Sequence, residues 1–290
     1  MNSVQFTAET SAGGVMERDF TVGEVPGVLW SPASGPERAP LVLMGHGGGT
    51  HKKAPAMSGR TERLIADCGF HVAVINAPGH GGRPRTAVDE REIAAMRRAM
   101  AAGEPVGPTV VRYNAHLAER AVPEWRATLD ALQALPEIGA DGPVGYFGLN
   151  MGTSIGVPLA AADPRITAAV FGVFWHDLAE TAQRITIPVE FVLQWNDEHI
   201  PRQSGLALFD AFASKEKTLH ANAGRHKEVR PYPPPPGGRR SPSASAGQPR
   251  ALVAPLRGRG RALPPRRGPR ALPAADGGHR APPCLGAGHR

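Results

Sequence analysis

The chain has 290 residues and a formal net charge of +7, long enough to bury one large α/β core. The charge is uneven: residues 230 to 290 hold 12 arginines, no lysine and one acid, Asp276, for +11, which leaves −4 on residues 1 to 229. That body lacks the basic balance that nucleic acid or an anionic membrane selects, and the two cysteines, Cys68 and Cys284, cannot build a disulfide framework or a zinc cluster.

The N-terminal 20 residues show no basic segment followed by an apolar one, and no stretch approaches about 18 consecutive apolar residues; the sequence predicts a cytoplasmic protein without a secretion signal or membrane span. Two early runs, VMERDFTV (15–22) and VPGVLWSP (25–32), read as an antiparallel entry to a sheet. After them, apolar β-rich runs at 39–45, 71–76, 143–149, 166–174, 188–195 and 217–221 alternate with helix candidates at 57–68, 115–135, 151–162 and 203–214. Continuous apolar strands suit a sheet covered on both faces, and the βαβα order predicts an α/β fold with a doubly wound, mostly parallel sheet over residues 1–229.

Residues 86–119 break the alternation with a charged helix, DEREIAAMRRAMAAG, and a Pro/Gly break; the segment is either a small lid over the ligand site or an extended loop. The last 61 residues, 230–290, contain 14 prolines and 10 glycines. Such a composition cannot bury enough surface to offset about 1–2 kcal/mol of backbone entropy per residue, so this tail is expected to be disordered. Its arginines could serve nucleic acid or acidic lipid, but a single aromatic, Tyr232, stands among them, not the interleaving that base stacking uses. Arginine without lysine, beside proline, alanine and glycine, is what GC-rich coding DNA gives in a shifted frame.

The chemistry-bearing residues stand at strand ends. Gly148-Leu149-Asn150-Met151-Gly152 joins a strand to a helix, a layout in which the flanking glycines allow a sharp turn that lifts the central residue above the sheet at a helix N-terminus. The same spacing also occurs in ordinary strand-to-helix turns. Upstream, His46-Gly47-Gly48-Gly49 follows the first long strand and could aim a backbone N–H into the site, or be a plain glycine turn. Asp197 follows the strand PVEFVLQW, where a carboxylate can orient a histidine or merely cap the next helix. His226 lies in a loop after the last strand candidate and is the candidate base. Trp175 and His176 follow the fourth of the long runs, where they either line a pocket or close the core. No spacing matches a metal motif or a phosphate loop, so neither metal nor cofactor is expected.

Oxyanion glycines, elbow, acid and histidine in this order resemble the α/β-hydrolase superfamily, most closely its dienelactone-hydrolase-like and serine esterase branches, over residues 15 to 229. The resemblance implies that residue 150 attacks a carbonyl, His226 relays the proton and Asp197 fixes the imidazole. It also implies that the N–H of Met151 and one from the Gly47, Gly48 loop hold the oxyanion. Where that family has serine, this chain has Asn150. A carboxamide nitrogen is delocalised into its carbonyl and has no lone pair to attack with, so serine-type activity is expected to be lost. Where the family closes with a helix, this chain has RPYPPPPGG, which blocks helix formation and predicts reduced solubility or a loosely held His226. The expected function is hydrolysis of a carboxylic ester, lactone or thioester, impaired at position 150, with a small acyl molecule as partner. The other readings are a non-hydrolytic protein that binds such a molecule in the same pocket, and a proton-transfer catalyst using His226 without a covalent step.

Overall fold

Val4–Ala12 (β1), Val15–Val22 (β2) and Val25–Pro32 (β3) form an antiparallel meander in the computed structural model, which describes residues 3–34, 38–226 and 228. Its two turns are set by glycines in the left-handed region, Gly13 and Gly14 in the first and Gly23 in the second, as tight hairpins of right-handed twist require. Strand β3 pairs antiparallel with His71–Ile75 (β5). From there the sheet is parallel through Leu41–Gly45 (β4), Val144–Gly148 (β6), Ile166–Gly172 (β7), Val189–Gln194 (β8) and Lys217–Asn222 (β9). The order among the described residues is β1-β2-β3-β5-β4-β6-β7-β8-β9.

Every residue of β4, β5, β6 and β8 is buried, which is why these strands show mostly apolar sequence without alternation; the exceptions, His71, Glu190 and Gln194, are buried too. The helices that cover them are Pro55–Cys68 (α1), Ala87–Ala102 (α2), Gly107–Gln133 (α3), Met151–Ala162 (α4), the short Ala179–Ala182 (α5) and Arg202–Ala211 (α6). Helix α1 packs on β3 and β5, α4 on β4, β6 and β7, with α3 against α4, and α6 on β8. The fold is the expected mostly parallel α/β sheet. It has one strand more than the sequence suggested: β1, VQFTAETSA, exposes nearly all its side chains and so carries no apolar signature.

Segment 86–119 proves to be α2, a turn at Gly103 and the first part of α3. Thr86 caps α2 reciprocally with Asp89, a capping box. Asp89 also takes a 2.5 Å ion pair from Arg120, and Glu92 a 2.6 Å pair from Arg112, both on α3. Helix α3 runs through Pro123 for 27 residues, eight residues earlier than its apolar periodicity alone suggested. The tail expected to be disordered, 230–290, lies outside the described residues. Among the described residues, no helix is long and apolar enough to cross a membrane.

Candidate active site

At the C-terminal edge of the sheet, Gly45 of β4 and Gly148 of β6 lie in register. Helix α4 begins three residues after Gly148 and passes so close that a Cβ on Gly152 would stand 2.6 Å from the Gly45 carbonyl oxygen, and one on Gly148 would stand 2.5 Å from Gly152. The glycines are therefore a steric requirement of the turn. Below them the fully buried Tyr146 donates its hydroxyl to the Gly152 carbonyl at 2.7 Å. The chain reverses at Asn150, with φ 56° and ψ −120°, a strained conformation that few non-glycine residues adopt. The Asn150 N–H donates to the Gly172 carbonyl at 3.0 Å. Buried Thr153 accepts the Gly172 N–H at 2.8 Å and sets its own hydroxyl against the Gly148 and Gly172 carbonyls. The ends of β6 and β7 are thus tied to the first turn of α4.

Past β8 the chain turns at Asp197, whose Oδ1 accepts the N–H groups of His199 and Ile200 at 2.8 and 3.0 Å. Its Oδ2 faces Nδ1 of His226 at 2.8 Å. Burial tends to raise the Asp197 pKa, but these hydrogen bonds, His226 foremost, outweigh it and hold the carboxyl below its ordinary value. The His226 loop is pinned twice more: its N–H donates to Glu198 Oε2 at 2.9 Å, and Gln194 Nε2 donates to the Arg225 carbonyl at 3.0 Å. An ionised Asp197 takes the proton on Nδ1, which leaves Nε2 as an acceptor. That lone pair receives the Asn150 side-chain N–H, with Nδ2 and Nε2 2.9 Å apart.

On the opposite wall, His46 shapes the glycine loop. Its Nε2 accepts the Ala77 N–H at 3.0 Å and its Nδ1–H donates to the Gly47 carbonyl at 2.9 Å. Burial, aided by His80 and His51 and opposed by the Gly47 carbonyl, pushes His46 down to about 4, so this neutral tautomer persists at physiological pH. The Thr50 hydroxyl donates to the same Gly47 carbonyl at 2.8 Å. Met151 is the first residue of α4 and has no carbonyl four residues back within the helix, so its N–H is free of the helical ladder.

Between these walls lies a cleft of about 160 Å³. Its apolar lining is Ala54, Ala56, Met57, Phe147, Leu149 and Val173, and its polar lining is Thr50, Arg60, Asn150 and His226. Val173 is β-branched yet has φ 54°, a second strained backbone beside Asn150. Of the residues singled out in the sequence, Asn150, His226 and Gly47 line the cleft, and Asp197 stands behind His226. Met151 is buried under the turn. Gly48 is not part of the lining, nor is Trp175, whose ring presses on Gly107 of α3 and meets Phe174 edge-on. No residue of 86–119 is among those lining this cleft; α2 is tied to α3 by the Asp89–Arg120 and Glu92–Arg112 pairs. His46, Thr50, Arg60 and Glu198 were not assigned roles from the sequence. Glu198 could have been suspected from its place beside Asp197 and His46 from its place before the glycines, but nothing in the pattern of α1 marks Arg60.

No protein-family model and no curated protein matches this chain. Among solved structures, it is similar to a cold-adapted esterase from an Arctic intertidal metagenomic library, in a polyethylene-glycol-bound complex, at 34% identity and a TM-score of 0.61 over 78% of this chain and 92% of that one. It shares its fold with acetyl xylan esterase 1 of Thermoanaerobacterium, at 14% identity and a TM-score of 0.55 over 80% and 85% of the two chains. A ferulic-acid-bound protein of Butyrivibrio proteoclasticus, Est1E, matches at 14% identity and a TM-score of 0.53 over 76% and 91%. With a parallel sheet of this order, a strained turn leading into α4 and a relative 34% identical over most of both chains, the chain belongs to the α/β-hydrolase superfamily.

Proposed function

We propose that this chain descends from hydrolases of carboxylic esters, lactones or thioesters and that Asn150 has removed the covalent step while the surrounding machinery persists. The observation that carries this reading is the hydrogen-bond chain Asn150–His226–Asp197, with separations of 2.9 and 2.8 Å, placed on a strained turn at a helix N-terminus. A hydroxyl at position 150 would donate to Nε2 as the carboxamide does now. As it attacked a carbonyl carbon, His226 would take its proton and then return it to the leaving alcohol or thiol, giving an acyl-enzyme that water cleaves by the same relay. The Met151 N–H and an N–H of the Gly47 loop would hold the developing oxyanion. A carboxamide cannot take the first step: its nitrogen pair is shared with the carbonyl, and its N–H is spent on the base.

The test is turnover of short acyl esters by the unaltered chain, by Asn150→Ser, and by Asn150→Ser combined with His226→Ala. Turnover is expected only in Asn150→Ser, and it should vanish with His226. An unaltered chain working within about tenfold of the serine form would show that position 150 is not the attacking group. If neither form turned over esters but both bound them, the cleft would be that of a binding protein.

A further inference from the structure

Arg60 is the sixth residue of α1 and reaches the same cleft as Asn150 and His226. Its surroundings do not compensate its charge. Among the described residues no carboxylate makes an ion pair with it, and the cleft lining contains no acid. Its Nε is buried without a hydrogen-bond partner, Nη1 donates only to the Ala56 carbonyl at 3.1 Å, and the guanidinium lies 5.5 Å from the centroid of Phe147. Burial accordingly works against its charge, with no neighbouring charge to oppose it. A guanidinium held in an apolar wall with an unused donor is costly unless an anion completes it.

We propose that Arg60 is the anchor for a carboxylate on the ligand, so that the cleft takes short acyl compounds bearing a second, anionic end, such as monoesters of small dicarboxylic acids. The planar fork of arginine matches a carboxylate, whereas a phosphate dianion would call for more cationic or N–H donors than this wall offers. The six apolar side chains then hold the methylenes between the carboxylate and the carbonyl presented to residue 150. A cleft of about 160 Å³ suits a chain of a few carbons. This assignment rests on the reading of the cleft as the acyl site, but it can be tested without turnover, because the unaltered chain is expected to bind esters without cleaving them.

Calorimetric titration of the full chain should therefore compare monomethyl glutarate with methyl valerate, which has the same number of chain carbons but no charge. Monomethyl glutarate is expected to bind about 10- to 100-fold more tightly. Arg60→Met, which keeps the apolar stem over Phe147, should abolish that preference, so that the two esters bind with similar affinity, and Arg60→Lys should retain part of it. Circular dichroism confirms that each variant is folded. Equal affinity for the two esters, no measurable binding of monomethyl glutarate, or a preference that survives in a folded Arg60→Met variant overturns the proposal. If Asn150→Ser fails to hydrolyse any ester while the charge preference stands, the hydrolytic reading has failed and the anion site has not.

Discussion

Gly152→Ala sets two effects of opposite sign against each other. In a helix exposed to solvent, alanine in place of glycine stabilises by up to about 1 kcal/mol. Here the new Cβ would stand 2.6 Å from the Gly45 carbonyl oxygen. Bringing that contact to 3.0 Å, the shortest that real Cβ atoms tolerate, needs a retreat of about 0.4 Å, and ordinary contact at 3.4 Å needs about twice that. The obstacle is backbone in the middle of the sheet and cannot rotate aside, so α4 must move, disturbing the Tyr146 hydroxyl bonded to Gly152 and the strained turn at Asn150. Overpacking of this kind costs about 1–3 kcal/mol. The net expectation is a loss of roughly 1–2 kcal/mol, or roughly 2–8 °C in Tm for a domain of this size, read by thermal circular dichroism. Gly59→Ala is the control: Gly59 is also helical, but its Cβ would meet nothing within 4 Å, so its Tm should rise by a few degrees. A Gly152→Ala chain as stable as the parent, beside a stabilised Gly59→Ala, would refute the claim that the turn is sterically closed.

Two further expectations concern charge. Asp89 is fully buried, and although burial alone would raise its pKa, hydrogen bonds from Arg120 and Thr86 hold it at about 2. The depressed value means that its contribution is complete above the unfolded carboxyl's ordinary 3.8 and is lost as the pH falls toward about 2; Asp89→Asn should therefore lower the urea midpoint at pH 6 and lessen its fall between pH 4 and pH 2. In the Asn150→Ser background, Asp197→Asn should reduce kcat by about 10³- to 10⁴-fold with little change in KM, since the imidazole would lose both its tautomer and its counter-charge; an unchanged kcat would remove Asp197 from the relay.

The parallel core was legible because its strands are buried on both faces and α4 spans the residues that its small-residue pattern indicated, 151–162. Strand β1 was not, because a strand exposed along its length has no hydrophobic period to read; the Gly13-Gly14 pair, a hairpin turn signal, was the only clue. The beginning of α3 was hidden by Pro108 and by the glycines before it, yet proline is compatible with the first turn of a helix. Asn150, Asp197 and His226, which the structure brings together, could be singled out because each follows a strand end, a positional signal. Trp175 and Arg60 show the limit of that signal. Both are large side chains near the sheet's edge in sequence, and only packing decides that the indole turns toward Gly107 while the guanidinium of a different element enters the cleft.

On the proposed reading, the relay persists around Asn150 because little of it depends on the chemistry of residue 150. The turn is shaped by contacts among Gly45, Gly148, Gly152 and Tyr146 and by Thr153, none of which involves the side chain at its apex. The apex backbone, at φ 56° and ψ −120°, lies outside the left-handed helical region that asparagine favours, so the surrounding contacts impose it on whatever residue stands there. What the base requires is one donor at Nε2, and a carboxamide N–H supplies that as a hydroxyl would. That requirement describes a resting arrangement. The demand that asparagine fails, an electron pair free to attack, arises only when a carbonyl is in place, so folding exerts no pressure against the substitution. A chain with this residue should therefore fold as stably as its Asn150→Ser variant, within about 1 kcal/mol by urea titration, while the two differ in turnover by orders of magnitude; a large stability difference would show that the apex side chain takes part in holding the turn.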